Sequence, residues 1–212
     1  EAEIREIKID PLVKLYYVEV EPPKMEDPTS DLRRLLKALE AEWELQKIKV
    51  PHSILEMLQT TLREGKWKVT VAVDRDGIIR GIWSDFREPL YGIAVDIGST
   101  TLAAHLCELG SGEVLSSAGM MNPQIRFGED LMSRVSYVML NQEGEKELTK
   151  SVREALNQLS LEVCEQAGIQ KEEVMEMVMV GNPVMHHLVH GINPVELGGA
   201  PFALATDEAV SY

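Results

Sequence analysis

Apolar residues in the first third of the chain recur with two different periods, and these periods predict its secondary structure. Residues 7–20 are rich in β-branched and aromatic side chains, which favours a strand. Apolar residues between Leu32 and Trp43 recur at spacings of three and four, which predicts an amphipathic helix capped at Asp27-Pro28. A second such helix is expected to begin near Pro51 and to end at Gly65 in a left-handed cap.

A hairpin is predicted after these helices. Apolar and polar residues alternate over residues 67–73, and an Asp-Arg-Asp-Gly turn at 74–77 leads into residues 78–83, so we expect one solvated face. Arg87-Glu88-Pro89 reads as a junction, because shorter and more fully apolar segments follow it. Residues 1–88 are therefore predicted to form a small α+β domain.

The rest of the chain, residues 89–212, predicts a different arrangement. Residues 92–95 read as a buried strand that ends at Asp96, and strands at 102–109 and 114–120 complete three successive antiparallel strands. Helices follow, one opening at residues 127–130 and one ending near Gly168.

An almost wholly apolar run then predicts one more strand. Residues 174–180 are typical of a parallel strand buried on both faces, and Met175, Met177 and Met179 are interpreted as core filling. Asn182-Pro183 ends this strand and begins a short helix through His190.

Composition and charge exclude several classes of function. The chain has 21 basic and 35 acidic residues and a net charge of −14, which disfavours nucleic acid and anionic membranes as partners. Its longest apolar run is far shorter than the ~20 residues that cross a bilayer. Cys107 and Cys164 are far apart and indicate buried thiols in a reducing cytoplasm. Because the chain opens at Glu1 without Met or a signal peptide, we expect a piece of a longer protein.

One short motif has the composition of a phosphate-binding turn. Asp96 stands at the end of a predicted strand, and Gly98, Ser99, Thr100 and Thr101 form the turn that follows. A carboxylate, backbone amides and hydroxyls together suit nucleotide phosphates with a hydrated Mg²⁺. Asp96 is the candidate catalytic and metal-binding residue, and the four turn residues are candidates for cofactor binding. An ordinary β-hairpin remains the alternative.

Other polar residues allow more than one interpretation. Asn182 follows a predicted parallel strand, where α/β folds gather ligand-binding residues, but Asn before Pro is also a common turn former. Glu129 and Asp130 are expected to stabilise a helix N-terminus, with a metal-bound water as the alternative. The histidines at 186, 187 and 190 indicate a packed or capping cluster ahead of a metal site.

The order of the predicted elements resembles the first half of the actin, Hsp70 and sugar-kinase ATPase superfamily. In this order the motif at Asp96 lies within three hairpin strands, and helices and a parallel strand follow. This resemblance implies an α/β, ribonuclease H-like half domain in residues 89–212. It also implies that the turn is the first phosphate-binding element.

Longer stretches narrow the resemblance. Residues 122–135, 180–188, 191–194 and 200–202 are similar to the ATPase domain of the reductive activators of corrinoid-dependent methyltransferases, the RACo and RamA type, with residues 1–88 as the middle domain. The resemblance implies an ATP- and Mg²⁺-dependent activator, with a [2Fe-2S] ferredoxin domain preceding Glu1 and the adenosine-binding segment beyond Tyr212. Its partner would be a corrinoid protein or corrinoid-dependent methyltransferase, whose cob(II)alamin it returns to cob(I)alamin.

Two other functions stay open from the sequence. A sugar or acyl kinase of the same superfamily would use the same phosphate turn. Alternatively, the chain is a non-catalytic docking and dimerisation module, consistent with a possible homodimer.

Overall fold

The computed structural model describes residues 9–210, and the chain divides into two compact units. The first comprises Glu1–Tyr91 and Glu108–Gly112, and the second comprises Gly92–Cys107 and Glu113–Tyr212. Whether residues 1–88 and 89–212 fold independently stays a prediction.

Two helices and a three-stranded antiparallel sheet form the first unit. Its elements in chain order are β1 (Val13–Glu19), α1 (Asp31–Trp43), α2 (His52–Glu64), β2 (Lys68–Asp74) and β3 (Ile79–Ser84). The sheet order is β1-β2-β3, with Val13 opposite Asp74 and Val69 opposite Ser84. Apolar side chains of both helices and all three strands share one buried core: Val18, Val20, Leu35, Leu39, Ile54, Leu58, Leu62, Val69, Val71, Val73, Ile79 and Ile82.

The starts of β1 and α1 differ from the sequence prediction. Within the described part of the predicted strand, β1 begins only at Val13, and residues 7–8 lie outside the described residues. Helix α1 is capped by Ser30, whose hydroxyl accepts from the Arg33 amide at 3.4 Å. The predicted cap at Asp27 is wrong because that carboxylate binds Thr29 and Arg34 instead.

The end of α2 also differs from the prediction. Gly65 has φ −75°, so it is not in the left-handed region; Lys66 and Trp67 adopt positive φ instead. A Cβ at Gly65 would lie 2.1 Å from the Lys68 carbonyl oxygen. Glycine is therefore required here for close backbone approach rather than for a left-handed cap.

The predicted solvated face of the hairpin is largely covered. Strand β2 is central in the sheet, and both Thr70 and Ala72 are buried. The Thr70 hydroxyl donates to the Asp85 carbonyl at 2.7 Å and accepts from the Arg87 amide at 3.0 Å. The segment after β3 thus folds back over the polar face, which strand alternation alone did not predict.

A four-stranded sheet with helices forms the second unit. Its elements are β4 (Tyr91–Ile97), β5 (Thr101–Glu108), β6 (Val114–Met121), α3 (Leu131–Leu140), α4 (Gly144–Ala167), β7 (Val174–Gly181) and α5 (Pro183–His190), with short 3-10 helices at Pro123–Phe127, Lys171–Glu173 and Val195–Gly198. The sheet order is β6-β5-β4-β7. The α/β fold class, the three successive strands and the helix ending at Gly168 are confirmed.

Strand β7 is less buried than predicted. It lies at the edge of the sheet, and the side chains from Met177 to Val180 are 38–59% exposed. The prediction of burial on both faces, with Met177 and Met179 filling a core, is therefore wrong for the described residues. The physical reason is that only β4 flanks β7 within them. None of the described helices combines the length and apolarity needed to cross a bilayer.

Replacing Thr70 by Val is expected to lower the free energy of unfolding of the first unit by about 1–3 kcal/mol. The exchange keeps the shape but leaves the Asp85 carbonyl and the Arg87 amide without the hydroxyl. Urea unfolding followed by tryptophan fluorescence measures this, because Trp43, Trp67 and Trp83 all lie in the first unit. Thr60→Val on the exposed side of α2 is the control, and equal losses would contradict the prediction.

Candidate functional site

A tight turn joins β4 to β5 at residues 98–100, as the sequence predicts. The Gly98 amide donates to the Thr101 carbonyl at 3.0 Å and closes the turn. A Cβ at Gly98 would lie 2.5 Å from that carbonyl oxygen. Glycine is required because any side chain would force this hydrogen bond apart.

The next two amides of the turn face away from the protein's own acceptors. Within residues 9–210, the amides of Ser99 and Thr100 donate no hydrogen bond, whereas both carbonyl oxygens are bound. The Arg134 guanidinium binds the Ser99 carbonyl, and the backbone amide of Asn122 donates to the Thr100 carbonyl at 2.8 Å. Unpaired successive amides in a turn are available to an anion.

Asp96 lies beside the turn on the exposed face of β4. Its neighbours Val95 and Ile97 point into the core, so strand alternation turns Asp96 outward. Across the described residues its carboxylate has no ion pair or hydrogen bond. The hydroxyls of Ser99, Thr100 and Thr101 belong to the same short segment, two of them on exposed residues.

This donor set suits a hydrated Mg²⁺ bound together with phosphate. Mg²⁺ commonly keeps several waters and takes one or two carboxylates plus phosphate oxygens. No cluster of three or more metal-ligating side chains occurs among the described residues. A cation at Asp96 would therefore depend on oxygen atoms of its ligand and of water.

Asn182 lies near the same end of the sheet. A Cβ on Gly181 would be 3.1 Å from the Ile97 carbonyl oxygen, so β4 and β7 end side by side and run parallel. The Asn182 side-chain oxygen accepts from the Met185 amide at 3.0 Å and caps α5. Its capping role is thus shown, and nucleotide contact by Asn182 stays a prediction.

The expected helix-stabilising role is shown for Asp130. This residue is the N-cap of α3, and its carboxylate accepts from the Ser133 amide at 2.7 Å. That hydrogen bond lowers the pKa of Asp130. Glu129 is exposed and precedes the cap.

The three neighbouring histidines have different environments. His187 is buried, with Nδ1 2.8 Å from the Pro183 carbonyl and Nε2 accepting from the Ala205 amide. His186 and His190 are exposed, and their ring centroids are 4.7 Å apart. Burial, followed by the charge of His186, lowers the pKa of His190. The three rings form the expected cluster, with His186 in contact with both other rings. Only His187 is packed in the interior, so the packed interpretation does not extend to His186 or His190.

Burial raises the pKa of both cysteine thiols. Cys164 is buried and Cys107 is half-buried. The prediction of buried thiols therefore holds fully only for Cys164.

Sequence reasoning gave no role to three polar residues behind the turn. Asn122, Gln124 and Arg134 are each 0% exposed. A signal for Arg134 was present, because it stands three residues after Leu131 and four before Val138, on the apolar face of α3. A charged residue at such a position is buried only with specific partners.

Comparison with known proteins places the chain in a family. A family profile described as RACo middle region matches residues 91–212, and one described as RACo linker region matches residues 2–89. The chain belongs to the RACo family. The family descriptions therefore assign the middle region to residues 91–212 and the linker region to residues 2–89. The resemblance drawn from the sequence had instead assigned the middle domain to residues 1–88.

Two relatives of this RACo chain extend over nearly all of it. The corrinoid activation enzyme RamQ of Eubacterium limosum is 32% identical over 212 residues, covering 97% of the chain and 34% of RamQ. A solved structure titled reductive activator for corrinoid, iron-sulfur protein is 34% identical with a TM-score of 0.84, covering 95% of the chain and 32% of that protein. The chain thus spans about a third of the length of these relatives.

Replacing Gly98 by Ala is expected to open the turn and to destabilise the β4–β5 hairpin by about 1–3 kcal/mol. The new Cβ would clash with the Thr101 carbonyl oxygen. Hydrogen exchange of the backbone amides around position 98, compared between wild type and variant, measures the loss of protection. Gly119→Ala in β6 is the control, since its nearest atom, the Leu102 carbonyl oxygen, is 3.4 Å from the added Cβ. Equal protection in both variants would contradict the clash.

Proposed function

We propose that this chain is part of an ATP-dependent iron-sulfur reductive activator that returns the cob(II)alamin of a corrinoid protein to cob(I)alamin. The observation that carries the proposal is the turn at Asp96, with its unpaired Ser99 and Thr100 amides, in a chain of the RACo family. The 32% identity to a corrinoid activation enzyme over nearly the whole chain supports the corrinoid partner.

The residues of the turn have separate roles in this proposal. The amides of Ser99 and Thr100 donate to phosphate oxygens, and the hydroxyls of Ser99, Thr100 and Thr101 supply further polar contacts. The Asp96 carboxylate would hold a hydrated Mg²⁺ beside the phosphates. When bound, MgATP supplies free energy for transfer of one electron to cobalt.

The electron source and the partner surface are expected outside the described residues. A [2Fe-2S] cluster in a ferredoxin domain of the longer protein would donate the electron, and the corrinoid protein or corrinoid-dependent methyltransferase would accept it. The acidic chain, at net charge −14, supports a protein partner rather than nucleic acid or membrane. We propose a cytoplasmic location, with a homodimer as a possible assembly.

The other candidate functions make different predictions for the same turn. A sugar or acyl kinase would transfer the ATP γ-phosphoryl group to a hydroxyl or carboxylate compound, and would have no reducible iron-sulfur spectrum. A docking module would show no nucleotide-dependent protection at residues 98–101. The visible spectrum and hydrogen exchange with and without MgATP therefore separate the three functions.

Asp96→Asn in the longer protein that we propose contains this chain is expected to lower ATP-dependent activation by about 100-fold or more. The amide keeps the shape of the side chain but removes the negative charge that holds hydrated Mg²⁺. Reduction of cob(II)alamin, followed by its absorbance, measures activation, and ATP hydrolysis is measured in parallel. The iron-sulfur spectrum should be unchanged.

His186→Ala is the control, because His186 is exposed and lies outside the turn. We expect activation and ATP hydrolysis close to wild type in this variant. Wild-type rates in Asp96→Asn, together with loss of both activities in a folded His186→Ala protein, would show that the active site lies elsewhere.

A further inference from the structure

A buried polar cluster lies directly behind the phosphate turn. We define it as the turn clamp, consisting of Asn122, Gln124 and Arg134. Arg134 Nη1 donates to the Gln124 side-chain oxygen at 3.3 Å, and the backbone amide of Gln124 donates to the Asn122 side-chain oxygen at 3.0 Å. Gln124 Nε2 donates to the Leu148 carbonyl at 3.0 Å, which ties the clamp to α4.

The turn clamp binds every carbonyl oxygen from Gly98 to Thr100. Asn122 Nδ2 donates to the Gly98 carbonyl at 2.8 Å, and its backbone amide donates to the Thr100 carbonyl at the same distance. Arg134 Nη2 donates to the Ser99 carbonyl. Three successive peptide groups are thus fixed from the interior of the unit.

Fixing these carbonyls also fixes the amides. In a planar trans peptide, the N–H points opposite to the C=O of the preceding residue. A Gly98 carbonyl bound from inside therefore turns the Ser99 amide outward, and a bound Ser99 carbonyl turns the Thr100 amide outward. Neither of these two amides donates to a described residue.

Arg134 is held by neutral groups. Besides the turn and Gln124, it donates to the Gly128 carbonyl at 3.0 Å and contacts Met185 Sδ at 3.3 Å. No carboxylate forms an ion pair with it among the described residues, and burial lowers its pKa. The Asp130 carboxylate acts on this cation only beyond ion-pair distance. Burying a cation whose hydrogen-bond partners are all neutral is costly, which favours a role beyond packing. Its positive charge also favours an anion at the amides in front of it.

We infer that Arg134 and Asn122 are positioning residues for nucleotide phosphate, fixing the outward amides of Ser99 and Thr100 so that ATP affinity depends on them. This inference rests on the proposed function, since it assigns the clamp to the same turn. Neither side chain touches the phosphate; each acts through the backbone of residues 98–100.

The first test compares two buried arginines in the longer protein. Arg134→Met removes the guanidinium behind the turn. Arg34→Met is the matched control, because Arg34 is 5% exposed and binds the carbonyls of Thr29 and Asp27 together with the Asp27 carboxylate, all in the first unit. Both variants are expected to lower stability, which thermal unfolding measures.

Only the variant at the turn is expected to change nucleotide binding. In Arg134→Met we expect the KM for ATP to rise about tenfold or more, with a smaller change in kcat, and MgATP-dependent hydrogen-exchange protection of residues 98–101 to be lost. In Arg34→Met, KM should stay within about twofold of wild type. Arg134→Lys keeps the charge but not the planar fork, so its KM should lie between those of wild type and Arg134→Met.

Asn122→Asp keeps the inference testable if Arg134→Met does not fold. The substitution retains the side-chain oxygen that accepts from the backbone amide of Gln124. It removes the side-chain nitrogen that donates to the Gly98 carbonyl. Its KM for ATP is also expected to rise about tenfold.

A wild-type KM in whichever of the two variants folds, with protection of residues 98–101 retained, would overturn the inference and leave the proposed function standing. A wild-type protein without any MgATP-dependent protection would instead overturn the proposed function.

Discussion

The candidate site in the second unit depends on one constraint, the binding of three consecutive turn carbonyls from the interior. Asn122 and Arg134 supply these donors, and both are fully buried. Because the donors come from the segment after β6 and from α3, the turn reaches its geometry only when these elements have packed against the sheet. The conformation of residues 98–100 is therefore a tertiary property and not that of an isolated hairpin.

The two units bury arginine in different ways. Arg34 in the first unit binds the Asp27 carboxylate at 2.6 Å, so its charge is compensated within a few residues of sequence. Arg134 in the second unit binds carbonyl and amide oxygens and a thioether sulfur. Its hydrogen-bond partners are all neutral, and the Asp130 carboxylate acts on its charge only beyond ion-pair distance. The first arrangement stabilises a loop before a helix, whereas the second places a positive charge behind the turn at residues 98–100.

Family membership and geometry support different parts of the proposed function. The turn, the unpaired amides and the unpaired Asp96 carboxylate support a site for a metal-bound phosphate group. They do not distinguish an activator from a kinase, because both chemistries use the same contacts. The relation to a corrinoid activation enzyme supports the choice of partner. The proposal therefore needs both kinds of observation, and the iron-sulfur spectrum tests the part that geometry leaves open.

Much of the fold followed from local patterns. Helical spacing predicted α1, α2 and α4, and alternation predicted the hairpin of β2 and β3, because these signals depend on residues close together in sequence. The candidate turn at Asp96 was also visible, since Asp, Gly, Ser and Thr are adjacent there. Cap positions were less predictable. The Asp27 carboxylate accepts hydrogen bonds from Thr29 and Arg34, and Ser30 caps α1 instead.

What the tertiary structure decided concerns groups distant in sequence. Thr70 is buried because residues 85–87 fold over it, and β7 is exposed because only one strand flanks it in the described part of the chain. The sequence by itself determined which residues form the turn, through glycine and hydroxyl side chains at adjacent positions. Only the tertiary structure decided which way the turn amides face, because that direction is set by donors 24 and 35 residues further along the chain.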